Sequence, residues 1–436
     1  MFFRKKDKIV EHLLPQNPNR TYWQEVAYRF RKNRMAVWAL RCLYVLIFVA
    51  LFADFLANEK PIVCQLNQKV YFPIAKSYFV DLGLAKWDAT LLNVDWQNLN
   101  YDWKILPPIA YSDNTMDKLN MNYVSPLGRQ TGIRSWHYKH WLGTDELGHD
   151  VLAGMIHGTR IAVSVGIVAM SIAALIGIFL GTLAGFWGDH QLRISRSQII
   201  FSLLGLVIGF FYSFIAGTSS GETAMSSLLF MLFKTAGMLL LGVLLGNVVG
   251  LLFNKLPWLG KKIAIPADLL VMRLIEIINS IPPLLLILCI VAVTRPSVVN
   301  VMVIIGLISW TSIARFVRAE LLKVRNLEYI EAAQAMGFSD LRIVLRHALP
   351  NALTPVLIAI AFGVASAILT ESFLSFLSVG VAADTVTWGS LLNMARSNFG
   401  AWWLALFPGL AIFLTVTIFN LIGEGLTDAL DPRLKL

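Results

Sequence analysis

Long apolar stretches separated by charged segments dominate the chain. Two stretches of 27 residues without a charged side chain, 161–187 and 397–423, are accompanied by shorter ones at 197–221, 235–254 and 348–370. A run of about 18 or more apolar residues is long enough to cross a hydrocarbon core roughly 30 Å thick. Because five such runs could not all be buried inside a soluble core of this size, the pattern predicts a polytopic membrane protein.

Weaker apolar segments raise the number of predicted spanning helices to eight. The predicted spans are 36–57, 160–187, 199–217, 230–254, 277–295, 298–315, 351–378 and 403–424. The segment 264–280 is interpreted as a lead-in helix at the membrane surface before the short fifth span. Pro282-Pro283 and Pro408-Gly409 interrupt spans, and the sequence leaves open whether they are simple kinks or pathway positions.

Basic residues indicate the orientation. The net charge of +10 would suggest nucleic acid as a partner of a soluble protein. Here Lys and Arg flank the apolar stretches instead, and they are concentrated before the first span and in the loops 188–198, 255–262 and 316–350. The loop 218–229 has no Lys or Arg. Since basic loops remain cytoplasmic, we expect a cytoplasmic segment 1–35, both termini in the cytoplasm and no nucleic-acid partner.

Residues 58–139 break this pattern. These 82 residues are rich in Asn, Asp, Tyr and Trp and contain no long apolar run. The predicted orientation places them outside the cytoplasm. Long ordered loops are often functional, and two interpretations stay open, namely a soluble cap with a small core and a docking surface for a solute receptor.

Residues 326–350 predict two short helices joined by a tight turn. Good helix formers precede Gly337, which can take the positive φ at which many helices end. Ser339 can cap the following helix, and Asp340 in its first turn suits the positive end of the helix dipole. The sequence therefore predicts a helical elbow on the cytoplasmic side.

The second helix of this elbow carries an apolar stripe. Leu341, Val344, Leu345 and Ala348 recur at helical spacing and predict one apolar face. Pro350 marks the entry to the next span. These residues alone are compatible with a helix pair that packs on the protein's own spans or on lipid, and equally with a knob that fits a groove on a partner.

A set of six residues in this segment has the composition and spacing of a known motif: Glu331, Ala332, Ala333, Gly337, Leu349 and Pro350. They resemble the EAA loop of bacterial ABC importer permeases. The resemblance implies that this loop docks on a separate ATPase subunit and passes its movement to the membrane spans.

Further stretches are similar, in order, to motifs of the dipeptide/oligopeptide/nickel permeases. Their residues are Gly143, Thr144, Asp145, Gly148, Asp150, Glu371, Leu374, Ser375, Phe376, Asp431, Pro432 and Arg433. The resemblance is to the second-permease, C-type subunit of this family. Three positions depart from the family pattern, because His149 stands for Arg, Ser378 for Gly and Thr427 for Arg.

The resemblance implies an all-α polytopic fold with a six-helix permease core. Residues 36–57 are then the first transmembrane helix, 58–139 an extracytoplasmic insert and 140–436 the permease domain. The family core has no counterpart of the segment 199–254, which is interpreted as an extra transmembrane hairpin. The coupling loop falls at about 316–350.

The implied function is a translocation pathway for peptides or a related small solute in a bacterial inner membrane. The implied partners are ABC ATPase subunits, a second homologous permease chain, an extracytoplasmic solute-binding protein and membrane lipid. An importer of nickel or another non-peptide solute in the same family is the alternative. A secondary transporter and a membrane scaffold are more distant rivals, since neither explains the 326–350 pattern.

Other candidate sites contribute little. No phosphate-binding loop of the type GxxxxGK[ST] occurs, so we expect no ATPase site and no cofactor in this chain, with ATP bound by partner subunits. His137 and His140 lack an evident third ligand, and we expect ordinary surface residues rather than a metal site. Glu371 is expected near the outer end of the seventh span, with a structural or gating role rather than a role in substrate binding.

Overall fold

Helices form most of the computed structural model. It describes residues 22–66, 68–88, 91, 94–97, 99–189, 193–219 and 228–430. The helices are α1 Tyr22–Lys32, α2 Arg34–Leu51, α3 Pro73–Asp81, α4 Val151–Thr182, α5 Arg196–Ser219, α6 Leu228–Leu252, α7 Ala267–Asn279, α8 Pro283–Val293, α9 Val298–Val324, α10 Glu328–Ala335, α11 Asp340–Ile343, α12 Leu349–Ala352, α13 Thr354–Phe376, α14 Trp388–Met394 and α15 Trp402–Leu430. A further helical turn, Ala53–Leu56, follows α2. The strands are β1 Val63–Leu66, β2 Lys69–Tyr71, β3 Trp103–Ile105, β4 Arg193–Ser195 and β5 Lys262–Ala264.

The predicted all-α polytopic fold is confirmed. Within the described residues, 7 helices are long and apolar enough to cross a membrane, or 8 if the bent pair α7 and α8 counts as one span. The pair meets at an angle of 77°. Pro283 opens α8 and Pro282 is extended, so the break predicted at these prolines is present. Pro408, in contrast, lies inside the continuous helix α15, so no interruption occurs there; membrane helices tolerate such prolines.

The chain forms two compact units. The first comprises residues up to Val168, the segment Pro296–Val301 and everything from Ala361 onward. In this unit α15 packs against α1 and α2. Asn33 caps α2 by accepting a hydrogen bond from the Ala36 backbone N–H at 3.2 Å, and its Nδ2 donates to Asp428 at 3.1 Å.

A small sheet organises the insert within the first unit. Strands β2, β1 and β3 lie in that order, all antiparallel, and Cys64 pairs with Tyr71 on one side and Lys104 on the other. Cys64 is fully buried. A second buried cluster joins Ile109 and Tyr111 of the insert to Ala153 near the start of α4. The insert therefore has a small core, as its interpretation as a folded cap requires.

The second unit comprises Ala169–Arg295 and Met302–Ile360. Its most closely paired helices are α5 and α6, at the place of the hairpin predicted for 199–254. Gly205 and Gly242 let the two backbones approach, since a Cβ on Gly205 would lie 2.0 Å from the Gly242 carbonyl. Half-buried amides add a direct link, with Gln198 Nε2 donating to Asn247 Oδ1 at 2.9 Å. The β4–β5 ladder pairs the segments that flank the two helices.

Candidate coupling site and family motifs

The predicted elbow lies directly after α9. Helix α10 ends in a Schellman motif, in which Phe338 N–H donates to the Ala333 carbonyl at 3.2 Å and Gly337 N–H to the Gln334 carbonyl at 2.9 Å. Gly337 has a φ of 77°, and a Cβ there would meet nothing within 4 Å. The turn therefore requires the backbone freedom of glycine at Gly337 and imposes no packing limit there.

The EAA residues divide between the surface and the interior. Glu331 and Ala332 are exposed, whereas Ala333 is buried beside Ile330. Farther along the chain, Leu349 is half-buried and Pro350 is exposed, where Leu349 and Pro350 open the short helix α12. A small side chain at Ala333 suits its buried position, because a larger one would need space inside the unit.

The apolar residues predicted for the second helix are divided between the interior and the surface. Val344 and Ala348 are buried together with Ile343, whereas Leu341 and Leu345 are exposed. A π-helical turn spans Val344–Ala348. Two large apolar side chains of this segment are therefore left uncovered.

These outward side chains form an exposed apolar group on the elbow. Met336, Leu341 and Leu345 are each more than half exposed. The cation of Arg342 lies 5.7 Å from the centre of the Phe338 ring, which orients the basic side chain beside the same surface. Such a group of apolar and basic side chains is typical of a protein interface.

A polar cavity borders α10. Its volume is about 460 Å³, and its lining includes Glu331, Gln334, Arg325, Asp189 and Asp268. Polar groups and open space therefore border this side of α10, whereas Ile330 and Ala333 on the same helix are buried.

One wall of the cavity is fixed by an ion pair. Arg318 Nη2 donates to Asp268 Oδ2 at 2.6 Å, and Arg318 Nε donates to Oδ1 of the same carboxylate. Asp189 accepts a hydrogen bond from the Leu269 backbone N–H at 3.0 Å, which satisfies a free donor at the start of α7. Helix α7 is thus tied to α9, the helix that leads into the elbow.

Helix α4 and the π-helical turn Leu183–Trp187 that continues it approach α9 closely in the second unit. A Cβ on Gly181 would lie 2.6 Å from the Ala314 carbonyl oxygen, and a Cβ on Gly185 would lie 2.8 Å from the Arg318 carbonyl oxygen. Small residues four apart allow membrane helices to pack backbone to backbone. Larger side chains at these positions would separate α4 from α9.

A buried histidine organises the loop before α4 in the first unit. His140 is fully buried, with Nδ1 2.8 Å from Asp150 Oδ2 and Nε2 3.2 Å from Asp117 Oδ2. The Tyr111 ring stacks on it with 4.5 Å between centroids. The expectation of a surface residue is therefore wrong for His140, because the insert supplies a carboxylate and a ring that cover it. His137 Nδ1 lies 2.9 Å from the Pro107 carbonyl.

The charges of this network favour a protonated His140. Burial disfavours the imidazolium, but the hydrogen bonds and charges of Asp150 and Asp117 outweigh burial and raise the pKa of His140. Burial likewise acts to raise the pKa of Asp117, but hydrogen bonds from Asn120, the Leu119 backbone and His140 outweigh it and lower that pKa. At pH values below the raised pKa of His140, the network is therefore an ionic bridge between the insert and the loop before α4.

The glycines and acids of the first family motif shape the same loop. Gly143 and Gly148 have φ values of 81° and 84°. Thr144, Asp145 and Asp150 are buried. Asp150 Oδ1 accepts a hydrogen bond from the Ala153 backbone N–H at 2.7 Å and so caps α4.

His149, which replaces the usual Arg, keeps a contact with the acid of this motif. Its Nδ1 lies 2.7 Å from Asp145 Oδ2, and its backbone N–H donates to Asp145 Oδ1 at 2.8 Å. Asp145 also accepts from the Leu147 backbone N–H at 2.9 Å. The carboxylate of Asp145 therefore organises the turn before α4.

Glu371 is buried within α13. It accepts hydrogen bonds from Ser375 Oγ at 2.6 Å and from Ser372 Oγ at 3.4 Å. Leu374 is fully buried, and Phe376 ends the helix half-buried. The second family motif thus forms hydrogen bonds within α13 and also contacts the following segment, since Asn393 Nδ2 donates to the Phe376 carbonyl.

Ser378 occupies a position that favours glycine. It has a φ of 57° and follows α13 in a Schellman motif, with Val379 N–H donating to the Leu374 carbonyl at 2.9 Å and Ser378 N–H to the Ser375 carbonyl at 3.0 Å. The departure from the family Gly therefore places a Cβ in the left-handed region. Asp431, Pro432 and Arg433 lie outside the described residues.

Sequence reasoning missed two partners in these sites. Asp117 lies 23 residues before His140, and Asp268 lies 50 residues before Arg318. No local spacing links residues so far apart. The only usable signal was that Arg318 falls close to an apolar span, where a charged side chain usually has a partner.

Comparison with known proteins identifies the class. Residues 242–436 match the family described as "Binding-protein-dependent transport system inner membrane component", and residues 21–71 match the "N-terminal TM domain of oligopeptide transport permease C". The glutathione transport system permease protein GsiD of Pectobacterium atrosepticum is 31% identical over 297 residues, which cover 68% of this chain and 73% of that protein. The chain belongs to the binding-protein-dependent transport permeases.

Two relatives of this permease match over nearly the whole chain. The inner membrane ABC transporter permease protein YejE of Escherichia coli K12 is 29% identical over 410 residues, covering 93% of this chain and 95% of that protein. The peptidoglycan transport system permease protein YejE of Agrobacterium fabrum is 28% identical over 436 residues, covering 94% and 92%. These matches extend well beyond the part of the chain that aligns with GsiD.

Family membership confirms that this chain is a permease subunit and that other subunits hydrolyse ATP. The chain is a multi-pass inner-membrane permease subunit of an ABC importer and contributes to the translocation pathway. It is a transport component rather than an enzyme, and ATPase activity lies in partner subunits. A binding protein and an ATPase are therefore required partners of its class.

Proposed function

We propose that this permease imports peptides or peptide-containing fragments, together with a second homologous permease chain. One relative that matches nearly the whole chain is named for peptidoglycan transport. Two relatives that match 68% of the chain are named for glutathione and dipeptide transport. All of these solutes contain peptide or isopeptide bonds. This shared chemistry supports a peptide-like solute over nickel.

We infer further that both termini and the elbow around Glu331–Pro350 lie in the cytoplasm, where the ATPase subunits dock. The basic loops support this orientation, because Lys and Arg are retained on the cytoplasmic side. The observation that carries the docking proposal is the elbow at Gly337, with Met336, Leu341 and Leu345 exposed around it. ATP is bound by the partner subunits, and this chain holds no cofactor.

The arrangement of helices supports a route for movement. A displacement of α10 acts on α9, which directly precedes it. From α9 the displacement reaches α4 through the close approach at Gly181 and Gly185. It reaches α7 through the ion pair of Arg318 and Asp268, and α7 meets α8 at 77°. The polar cavity beside Glu331 leaves room for the first step.

The test combines docking and transport. In the assembled transporter, Leu341→Asp with Leu345→Asp should reduce co-purification of the ATPase and abolish ATP-driven peptide uptake, because two charges replace the apolar contacts. The matched control is Leu256→Asp, which alters an exposed Leu in another basic loop and should leave both intact. If the double variant co-purified the normal amount of ATPase subunits and took up peptide at the normal rate, the proposed docking site would be wrong.

Orientation has its own test. A thiol reagent that cannot cross the membrane should label Glu331→Cys in inside-out vesicles but not in intact spheroplasts. Labelling from the outside would place the elbow beyond the reach of an ATPase.

A further inference from the structure

The insert presents an apolar surface beside the end of the first membrane helix. Helix α3 and the residues that flank it carry four large exposed apolar side chains, at Phe72, Phe79, Leu82 and Leu84. Leu82 is 71% exposed and Leu84 is 73% exposed, while Ile74 of the same helix is buried. The segment is therefore two-sided, with one face in the core of the insert and one uncovered.

Side-chain contacts fix the depth of this segment. Tyr78 of α3 donates a hydrogen bond to Asp54, and Arg160 Nη2 donates to the same carboxylate at 2.6 Å. Arg160 Nε also donates to the Ala50 carbonyl at 3.0 Å. Asp54 lies three residues beyond Leu51, the last residue of α2, which corresponds to about 5 Å along a helix. Helix α3 is thus held at the level where the chain leaves the membrane.

The charges at this junction favour a fixed position. Burial acts to raise the pKa of Asp54, but the hydrogen bonds from Tyr78 and Arg160 and the charge of Arg160 outweigh burial and lower that pKa. The carboxylate is therefore ionised and keeps α3 tethered at neutral pH.

An aromatic series connects the membrane surface of α2 with α3. Phe48 stacks near Phe52 at 4.8 Å between ring centroids, Phe52 contacts Phe55 at 6.1 Å, and Phe55 stacks on Tyr78 at 6.4 Å. Phe48 and Phe52 are exposed, as expected for side chains that face lipid. The series ends at Tyr78, which directly precedes the exposed Phe79 on α3.

The flanking side chains match the membrane–water interface. Lys60 and Lys76 place their ammonium groups 5.1 and 5.5 Å from the centre of the Trp87 ring. Aromatic side chains and lysines are enriched at the level of lipid headgroups, where one end is apolar and the other is hydrated. Amphipathic helices with such residues lie in the plane of the interface.

We propose that the segment Phe72–Leu84 is an interfacial anchor that inserts its apolar side chains into the leaflet reached by the carboxyl end of α2. The partner is the lipid surface itself, namely acyl chains below Phe79, Leu82 and Leu84 and headgroup phosphates near Lys60, whereas Lys76 is paired with Asp88 at 3.0 Å. This anchor holds the insert against the bilayer. The proposal goes beyond transport activity and does not depend on the identity of the solute.

The test measures depth in the full chain reconstituted into lipid nanodiscs of phosphatidylethanolamine and phosphatidylglycerol. Single cysteines are introduced by Phe79→Cys, Leu82→Cys and Leu84→Cys and are spin-labelled, with the exposed Cys42 and Cys289 replaced by Ser and the buried Cys64 retained. Collisions of each label with oxygen, which enters lipid, are compared with collisions with nickel ethylenediaminediacetate, which stays in water. Leu127→Cys is the matched control, since Leu127 lies in the same insert and is 92% exposed.

We expect the ratio of oxygen to nickel accessibility to be several-fold higher at Phe79, Leu82 and Leu84 than at Leu127. Free access of the nickel complex to all four positions would show a water-exposed face and overturn the proposal. Protection of Phe79, Leu82 and Leu84 from both reagents would show that protein covers them, either a second permease chain or another partner, and would also overturn it. Because no transport is measured, failure here leaves the importer function untouched.

Discussion

Arg318 on α9 and Asp268 in the first turn of α7 form a two-point ion pair, with 2.6 Å between Arg318 Nη2 and Asp268 Oδ2. The planar guanidinium matches the carboxylate geometry, so the pair sets both the distance and the orientation of the two helices. Since α9 leads into the elbow at Gly337, the pair is well placed to pass movement to α7.

Asp268→Asn should weaken this link without changing the size of the side chain. Hydrogen bonds to charged groups contribute about 1.5–3 kcal/mol each. Arg318 and Asp268 are 29% and 19% exposed, which places the loss toward the lower end. We expect ATP-driven uptake in proteoliposomes to fall several-fold while the assembled complex still hydrolyses ATP.

A variant in which the two charges are swapped distinguishes a role of the ion pair from a role of side-chain packing. Asp268→Arg combined with Arg318→Asp should recover part of the lost uptake, because the opposite charges again face each other. Glu276→Gln is the control, since the ion pair of Arg273 and Glu276 on α7 is exposed and should contribute little. Equal uptake in Asp268→Asn and the parent protein would rule out the link.

Gly337→Ala should impair the elbow through backbone strain alone. The φ of 77° costs an L-residue about 1–2 kcal/mol, and the added Cβ meets no atom within 4 Å. We expect the elbow region to be less stable, which faster hydrogen exchange of its backbone amides would show. We also expect peptide uptake to fall relative to ATP hydrolysis. Gly409→Ala is the matched control because its Cβ also meets no atom within 4 Å, yet Gly409 lies within α15 and should tolerate alanine. The same response in both variants would indicate that strain at Gly337 is not the cause.

Ser378→Gly should stabilise the protein. The serine ends α13 at a φ of 57°, where glycine avoids a penalty of about 1 kcal/mol or slightly more. The greater freedom of glycine in the unfolded chain offsets part of this gain. A rise of the thermal unfolding temperature in detergent is expected, whereas Ser312→Gly inside α9 should lower it. A lower unfolding temperature for Ser378→Gly would show that the hydroxyl compensates the strain.

Features that depend on neighbouring residues can be predicted from this sequence, whereas contacts between residues far apart along the chain cannot. Apolar runs predict the membrane helices, and Gly337 predicts its own turn, because both depend on neighbouring residues. The spacing of Leu341, Val344, Leu345 and Ala348 predicts an apolar stripe, but which of these residues are buried depends on the neighbours that pack against the helix. The burial of His140 depends on Asp117 and Tyr111 of the insert, which no short spacing reveals.

The bridge formed by His140 predicts a pH-dependent attachment of the insert. The folded protein raises the pKa of His140 above its ordinary value of 6.5, so it holds this proton at a pH where the unfolded chain has released it. The stabilisation is therefore fully present below about pH 6.5 and is lost as pH rises through the raised pKa. The pH dependence from Asp117 runs in the opposite direction, because its pKa is lowered. Its stabilisation is present above the ordinary value of 3.8 and is lost as pH falls through the lowered pKa.

Hydrogen exchange of the Asp117–Asn120 turn, corrected for the intrinsic effect of pH, should measure this attachment. We expect protection to be greatest between about pH 4 and pH 6.5 and to decline on the alkaline side, since loss of the His140 proton removes one partner of each ion pair. His140→Gln keeps hydrogen-bonding capacity but cannot carry the charge, so protection should be lower at pH 6 and its alkaline decline should disappear. His137→Gln should retain the decline, because His137 contacts the Pro107 carbonyl rather than a carboxylate. An unchanged alkaline decline in His140→Gln would assign the effect to another group.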